Sequence, residues 1–350
     1  METLTTLSLY ITILALPFSQ LFKPFFDISL VITMGLHLTH AYFYRQFKVK
    51  NRWFLAFIIY AWINLILQFV VHHFTLLPLF YLIRLSSLLL LFVFPIKTTK
   101  LTTKLLILSL VSSVLMGLIQ YIVSPNVTYF NAFNWDPHLN RIILPFFDPT
   151  FSALAFVGLL VIIATKSKKK LFDYIILFLG YIGLALTYSR ASWLSLVTIA
   201  GVYSYRTKKI GFLVGTIILI ILTIVVLPKP YGEGTKLNRT ASIAAKIENY
   251  KQAFQVIGRS PLIGIGYNRL SLVRTDQPKV SHAINGFDAS LLTVWATTGI
   301  FGLLLFVSGL YHFASRRSWQ QNLFLIVLLV HSCFANSLLY APILFLLYLI

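Results

Sequence analysis

The side chains best suited to chemistry in this sequence are basic. Arg141, Arg190, Arg239 and Arg259 each stand beside the end of an apolar run or inside a long polar stretch. A guanidinium holds phosphate bidentately while staying charged, so a cluster of them would suit a pyrophosphate at a membrane surface. Taken singly, each could equally be a solvated or headgroup-contacting charge. Arg190 is the least ordinary, because it lies in the very short turn TYSRASW between two apolar runs. Arg84 falls near the middle of the run PLFYLIRLSSLLLLFVF, where a charge costs roughly 2.5–3.5 kcal/mol to insert. It should face the interior of a bundle or a wet cavity, unless tilt lets it snorkel. His282, in KVSHAIN, could serve as a general base beside arginines that hold a departing phosphate, or be an ordinary loop histidine.

Other chemistries find little support. No DxD, ExD or HExxH motif occurs, and the adjacent His72 and His73 sit at the end of an apolar run, where they read as interfacial. Neither a metal nor another cofactor is expected. The pair Gly264-x-Gly266 opens no helix of a βαβ unit, so a dinucleotide site is not indicated. The lone Cys333, inside an apolar run, rules out an intrachain disulfide.

The elements that must position these residues are membrane helices. The chain has 350 residues, 58% of them hydrophobic and 11% charged, well below the quarter charged that soluble domains carry. Apolar runs predict helices at 4–22, 25–44, 53–72, 75–96, 105–123, 151–165, 171–188, 191–205, 210–227, 290–313 and 321–338. A shorter run, 341–350, would begin a twelfth helix or form a re-entrant end. The predicted fold is an all-α polytopic integral membrane protein of about 11–12 transmembrane helices, in a single domain spanning 1–350. The first run lacks a basic flank and a cleavage site and reads as a retained helix.

The net charge of +20 gathers between alternate runs: Arg45, Lys48, Lys50 and Arg52; Lys97, Lys100 and Lys104; Lys166 and Lys168–Lys170; Arg206, Lys208 and Lys209; Arg316 and Arg317. These are topology signals, not a nucleic-acid surface. They place the N-terminus in the cytoplasm and the long 228–289 loop outside, in a cytoplasmic (inner) membrane. Loops of that length are translocated largely regardless of charge. The segment 124–150 is the other sizeable outer piece.

Within the long loop, Ile243, Ile247, Tyr250, Phe254 and Ile257 recur at helical spacing. The helix they predict would lie on the membrane surface or cap the bundle as a packed lid. GRSPLIGIGYN, residues 258–268, should end it in a sharp turn.

Four blocks carry a specific resemblance. They are TYSRASWLSL (187–196), NYKQAFQVIGRSPLIGIGYNRL (249–270), SLLTVWATTGIFGLLLF (290–306) and, more weakly, RIILPFFDPTFSA (141–153). In order and spacing they resemble the O-antigen ligase and O-antigen polymerase superfamily of bacterial envelope glycan enzymes, over residues 141–306. The resemblance implies a fold similar to the polytopic C-type glycosyltransferases, with a large external loop between predicted helices 9 and 10. It implies metal-free transfer of a glycan from an undecaprenyl-pyrophosphate carrier to a glycan, lipid or protein acceptor on the outer membrane face. Arg190 and Arg239, joined by Arg141, would hold the pyrophosphate, with Arg84 a further candidate for the lipid carrier. The family's loop histidine falls eleven residues before the first Gly of Gly-x-x-Gly, which lands here on Asp288. Either an insertion brings His282 into that role, or Asp288 is the base, alone or as its partner; the third option is a member with another acceptor or without activity. The resemblance does not separate ligase from polymerase.

Two rivals stay open. One is a glycosyltransferase using a lipid-phosphate sugar donor, with Asp27 near the first external turn as its acid. The other is a transporter or channel, in which Arg84 would line a polar path.

Overall fold

The computed structural model describes residues 1–45, 47–71, 75–133, 138–236, 239–274 and 282–350. His72, His73, Asp136 and Asp276 lie outside the described residues, as does the side chain of His282. The described residues form thirteen α-helices and no β-strand; one isolated bridge pairs Asn126 with Leu139. The first five helices are α1 (Glu2–Ala15), α2 (Lys23–Phe43), α3 (Arg52–Val71), α4 (Leu76–Val93) and α5 (Lys100–Val123). After the 124–148 segment come α6 (Pro149–Ala164), α7 (Leu171–Leu186), α8 (Arg190–Thr207) and α9 (Ile210–Val226). The polar segment contains α10 (Thr240–Arg259), and α11 (Ser290–Ala314), α12 (Trp319–His331) and α13 (Ala341–Leu349) follow. Four of these, α3, α4, α5 and α11, are long and apolar enough to cross a membrane; α1, α6, α7, α9 and α12 are apolar but shorter.

The centre of the bundle is made by the two helices with no polar face. α6 buries every residue from Ser152 to Ile163, and α13 buries all nine of its residues. They meet where Gly158 leaves room for Leu346, whose Cδ2 would stand 2.7 Å from an added Cβ. By contrast α9 buries none of its residues, as a helix at the lipid-facing edge would.

The basic connections gather at one end. The Lys50 amide donates to the Val93 carbonyl at 2.8 Å, and His312 Nε2 lies 2.9 Å from the Lys50 carbonyl. Gln320 donates to Thr165 Oγ1 at 2.7 Å, and the Arg206 guanidinium sits 4.0 Å over the Trp319 ring. Five connections distant in sequence thus share one face. From it α12 rises thirteen residues and α13 returns nine, about 20 and 14 Å at 1.5 Å per residue, against roughly 30 Å for a full span. The run 341–350 is therefore a buried half-length return, and the turn at 332–340 lies within the bundle. Ser290 holds that turn: its amide donates to the Ser332 carbonyl at 3.0 Å and its Oγ accepts from the Leu338 amide at 3.0 Å.

α11 is broken at Gly299, whose φ of 68° and ψ of −176° interrupt the helix. The break leaves carbonyls of the preceding turn without helical donors, and the glycine-rich segment supplies them. The Ile265 amide donates to the Ala296 carbonyl at 3.1 Å and the Gly266 amide to the Thr297 carbonyl at 2.9 Å. In return the Ile300 amide donates to the Pro261 carbonyl at 2.9 Å. Two of the sequence blocks are thus one interlocked backbone unit, tied to α3 by Asn64, which donates to the Ile263 carbonyl at 2.8 Å.

α10 forms where its periodicity predicts, but it docks through another face. Asn249, Ala253, Val256 and Ile257 are buried, whereas Ile243, Ile247 and Phe254 are exposed. The reason is polar: Lys246, Asn249 and Tyr250 have partners on the protein side, and satisfying them turns most of the apolar stripe outward.

Candidate functional site

A cavity of about 480 Å³ opens where the loops converge. Its walls come from the α1–α2 turn (Ser19, Gln20), α2 (Asp27), α4 (Tyr81, Arg84), the segment before α6 (His138, Asp148), α10 (Lys246), the 285–288 stretch and the 334–340 turn. Arg84 thus faces the interior and does not snorkel. It meets Asp27 at 3.3 Å and lies 4.5 Å over the Tyr81 ring, which offsets the cost of a charge at that depth. It is not grouped with the other three arginines of the sequence reading.

Those three do assemble. Arg141 and Arg239 are buried beside the end of α7. Arg141 Nε donates to the Thr187 carbonyl at 2.9 Å, and Arg239 donates to the Tyr188 carbonyl at 2.7 Å. Tyr188 takes a φ of 53° to reverse the chain, and Ser189 caps α8, placing Arg190 in its first turn. Burial, followed by the field of Arg239, pushes the Arg141 guanidinium down to about 9; Asp148 opposes this and Arg190 adds to it. Phosphate oxygens would relieve the repulsion among three cations held this close to one another. Part of their role is also structural, because two of them cap carbonyls that α7 leaves open. Arg259, at the C-terminal end of α10, does not contribute to the field at Arg141.

His138 and Asp148 join the arginine cluster to the cavity. Both line the cavity, and His138 feels Asp148, Arg141 and Arg239 together; burial first, then the arginines, push its imidazole down to about 4. Asp148 caps α6 by accepting from the amides of Thr150 at 2.6 Å and Phe151 at 3.1 Å. His138 escaped sequence reasoning. Its neighbours in the chain form no motif; the Val127 amide, donating to its carbonyl at 3.1 Å, and the Asn140 amide, donating to the Pro125 carbonyl at 2.8 Å, help to fix this loop.

Asp288 also lines the cavity, paired with Lys246 at 2.9 Å. The Lys246 ammonium donates again to the Phe334 carbonyl at 2.6 Å, and the Asp288 amide donates to Asn249 Oδ1 at 2.9 Å. α10 therefore clamps the 286–288 stretch, with the Arg274 guanidinium 4.7 Å over the Phe287 ring on its other side. His282 begins a short turn, His282–Asn285, which leads into that stretch.

Behind the arginines, a mostly apolar groove of about 650 Å³ runs along Tyr188, Trp193, Ile224, Leu227 and Tyr231. The serines of the Ser-Arg-Ala block are tied to the bundle centre: Ser192 Oγ lies 3.3 Å from His331 Nε2, whose Nδ1 lies 2.6 Å from Ser337 Oγ. Among the described residues no group of three His, Cys, Asp or Glu side chains could hold a metal ion.

A family model described as O-Antigen ligase matches residues 175–307, from α7 through the Gly299 break. The match covers three of the four sequence blocks and leaves out the one at 141–153. No curated protein matches the chain.

Proposed function

We propose, for a chain whose residues 175–307 carry the O-antigen ligase domain and which is a multi-pass membrane protein, that it transfers a glycan from a polyprenyl-pyrophosphate carrier to an acceptor hydroxyl. The observation that carries this reading is the junction at His138 and Asp148, where a triple-arginine anion site adjoins a polar cavity. Undecaprenyl pyrophosphate fits the two halves: phosphates on Arg141, Arg190 and Arg239, and the chain along the apolar groove beside Tyr188. The acceptor oxygen attacks the anomeric carbon, the bond to the phosphate oxygen breaks, and configuration inverts. The electron pair leaves on the pyrophosphate, whose charge the guanidiniums stabilise. The hydroxyl proton passes to Asp288, or to His282 in the turn leading into its stretch. The basic end of the bundle is cytoplasmic and the cavity opens on the external face of the inner membrane.

Proteoliposomes loaded with undecaprenyl-pyrophosphate glycans test this. Chain growth or transfer to an added acceptor, lost in Arg190→Ala, is the expected result. Solute flux without transfer would overturn it in favour of a transporter. A second reading draws on Asp27, which shares the cavity: a lipid-phosphate sugar donor with Asp27 as catalytic acid. Activity with monophosphate donors alone would select it.

A further inference from the structure

Buried polar atoms without a hydrogen-bond partner concentrate around the cavity. Among the described residues they include Ser19 Oγ, Gln20 Oε1, Asn268 Nδ2, Asn285 Oδ1 and Asn336 Oδ1, and all five residues line it. Each such atom costs about as much as a lost hydrogen bond unless something satisfies it. Three are acceptors, one is a donor and one is a hydroxyl that can do either, the complement of a ring bearing several hydroxyl or amide groups. The same wall carries an aromatic face. Tyr340 stacks on Phe151 at 4.1 Å between centroids with an 11° tilt, and its hydroxyl accepts from Gln20 Nε2 at 2.7 Å.

The charges exclude an acidic ligand here. The described cations of the wall are matched, Arg84 by Asp27 and Lys246 by Asp288, while Asp148 adds a third carboxylate. Among the described lining residues three carboxylates stand against two cations, so a carboxylated sugar seated on this wall would meet an unmatched negative charge. The phosphate-binding arginines stand outside this wall.

Resting on the glycan-transfer reading above, we propose that the wall formed by Ser19, Gln20, Asn268, Asn285 and Asn336 is a subsite for an uncharged pyranose ring, carrying hydroxyl or acetamido substituents and excluding uronic acids. Most of it lies outside the 175–307 match, so Gln20 and Asn336 set sugar specificity from parts of the chain that the family model does not reach.

Full-length protein in nanodiscs, titrated with the methyl glycosides of N-acetylglucosamine, glucose and glucuronic acid and followed by saturation-transfer NMR, reads this directly. The two neutral glycosides should bind, with glucuronide at least about tenfold weaker, the scale of one unfavourable buried charge contact. Gln20→Met and Asn336→Leu should each weaken neutral binding about fivefold, the scale of one lost hydrogen bond, with the thermal midpoint measured to confirm folding. Glucuronide binding as tight as glucoside, neutral binding unchanged in both folded variants, or no glycoside binding at all would overturn the proposal. The probes carry no phosphate. Glycoside binding without lipid-linked transfer would therefore count against the transfer reading alone, and transfer without glycoside binding against the subsite alone. In the transfer assay, the substrate whose KM rises in Gln20→Met, donor or acceptor, supplies the ring.

Discussion

Gly264 and Gly299 meet backbone to backbone: a Cβ on Gly264 would stand 2.5 Å from the Gly299 amide nitrogen, and one on Gly299 would stand 2.1 Å from the Leu262 carbonyl oxygen. Both residues also take positive φ, 79° and 68°. Space and conformation therefore each forbid a side chain, and no flexible neighbour can yield. Gly299→Ala and Gly264→Ala should both lower the thermal midpoint in detergent and abolish transfer. Gly201→Ala, in open space on α8, should change neither. A stable, active Gly299→Ala would show that the break in α11 is dispensable.

The arginine cluster predicts stabilisation by a polyanion. Inorganic pyrophosphate should raise the thermal midpoint of the wild type, by linkage worth about 2.7 kcal/mol at a hundredfold excess over Kd. Arg141→Gln and Arg239→Gln should remove that response even where they remain folded. If these arginines only cap the end of α7, the variants would lose basal stability and keep the pyrophosphate response, so calorimetry with and without ligand separates the two roles.

His138 predicts a pH dependence of defined sign. Its folded pKa of about 4 lies below the ordinary 6.5, so between these values the unfolded chain binds a proton that the folded protein does not. Stability is full above about pH 6.5 and declines as pH falls toward 4. His138→Gln, neutral throughout, should flatten that part of the midpoint-against-pH curve relative to wild type. Parallel curves would mean that the imidazole titrates normally.

The clamp on Asp288 predicts a division of labour. Asp288→Asn should lower transfer by roughly 10²–10⁴-fold if Asp288 is the base. Lys246→Met leaves the carboxylate but removes its positioning contacts, and should give a smaller loss with a shifted pH–rate profile. If Asp288→Asn is active and His282→Ala is not, the base is His282.

Arg84 and Asp27 predict non-additivity. Either Arg84→Met or Asp27→Asn leaves one charge uncompensated in the cavity, whereas the double variant leaves none. The double variant should be more stable than the sum of the singles implies. Additive losses would mean that the 3.3 Å pair carries no coupling.

Much of this was legible in the chain because membrane helices announce themselves by length and hydropathy. The helix order and the polar segment follow from the apolar runs, and the grouping of Arg141, Arg190 and Arg239 from the resemblance carried by short blocks; the break at Gly299 does not, since the run 290–313 reads as one helix. What stayed hidden depends on contacts between distant segments. The spacing of α10 leaves its docking face open, because Lys246 and Asn249 find partners on the 286–288 stretch and the 334–340 turn, which no periodicity reveals. Arg84 reads from the sequence as facing the interior or a wet cavity, but no run or spacing reveals that its partner is Asp27, on another helix. His138 carries no local signal at all.

The half-length return of α13 has an electrical consequence. Tyr340 stands in the cavity, and only the nine residues of α13 separate it from Ile350, next to Leu349; near its far end Tyr348 bonds the Ile96 backbone beside the basic connections. The insulating layer between the two faces is therefore about 14 Å of helix, half the thickness of the surrounding lipid. A resting voltage drops across that shorter path, at about 2.3 kcal/mol per elementary charge for each 100 mV over its full depth. A charge held in that layer, between Tyr340 and Tyr348, would therefore feel most of the cell's membrane potential, whereas one moving inside the cavity above it crosses little of the field.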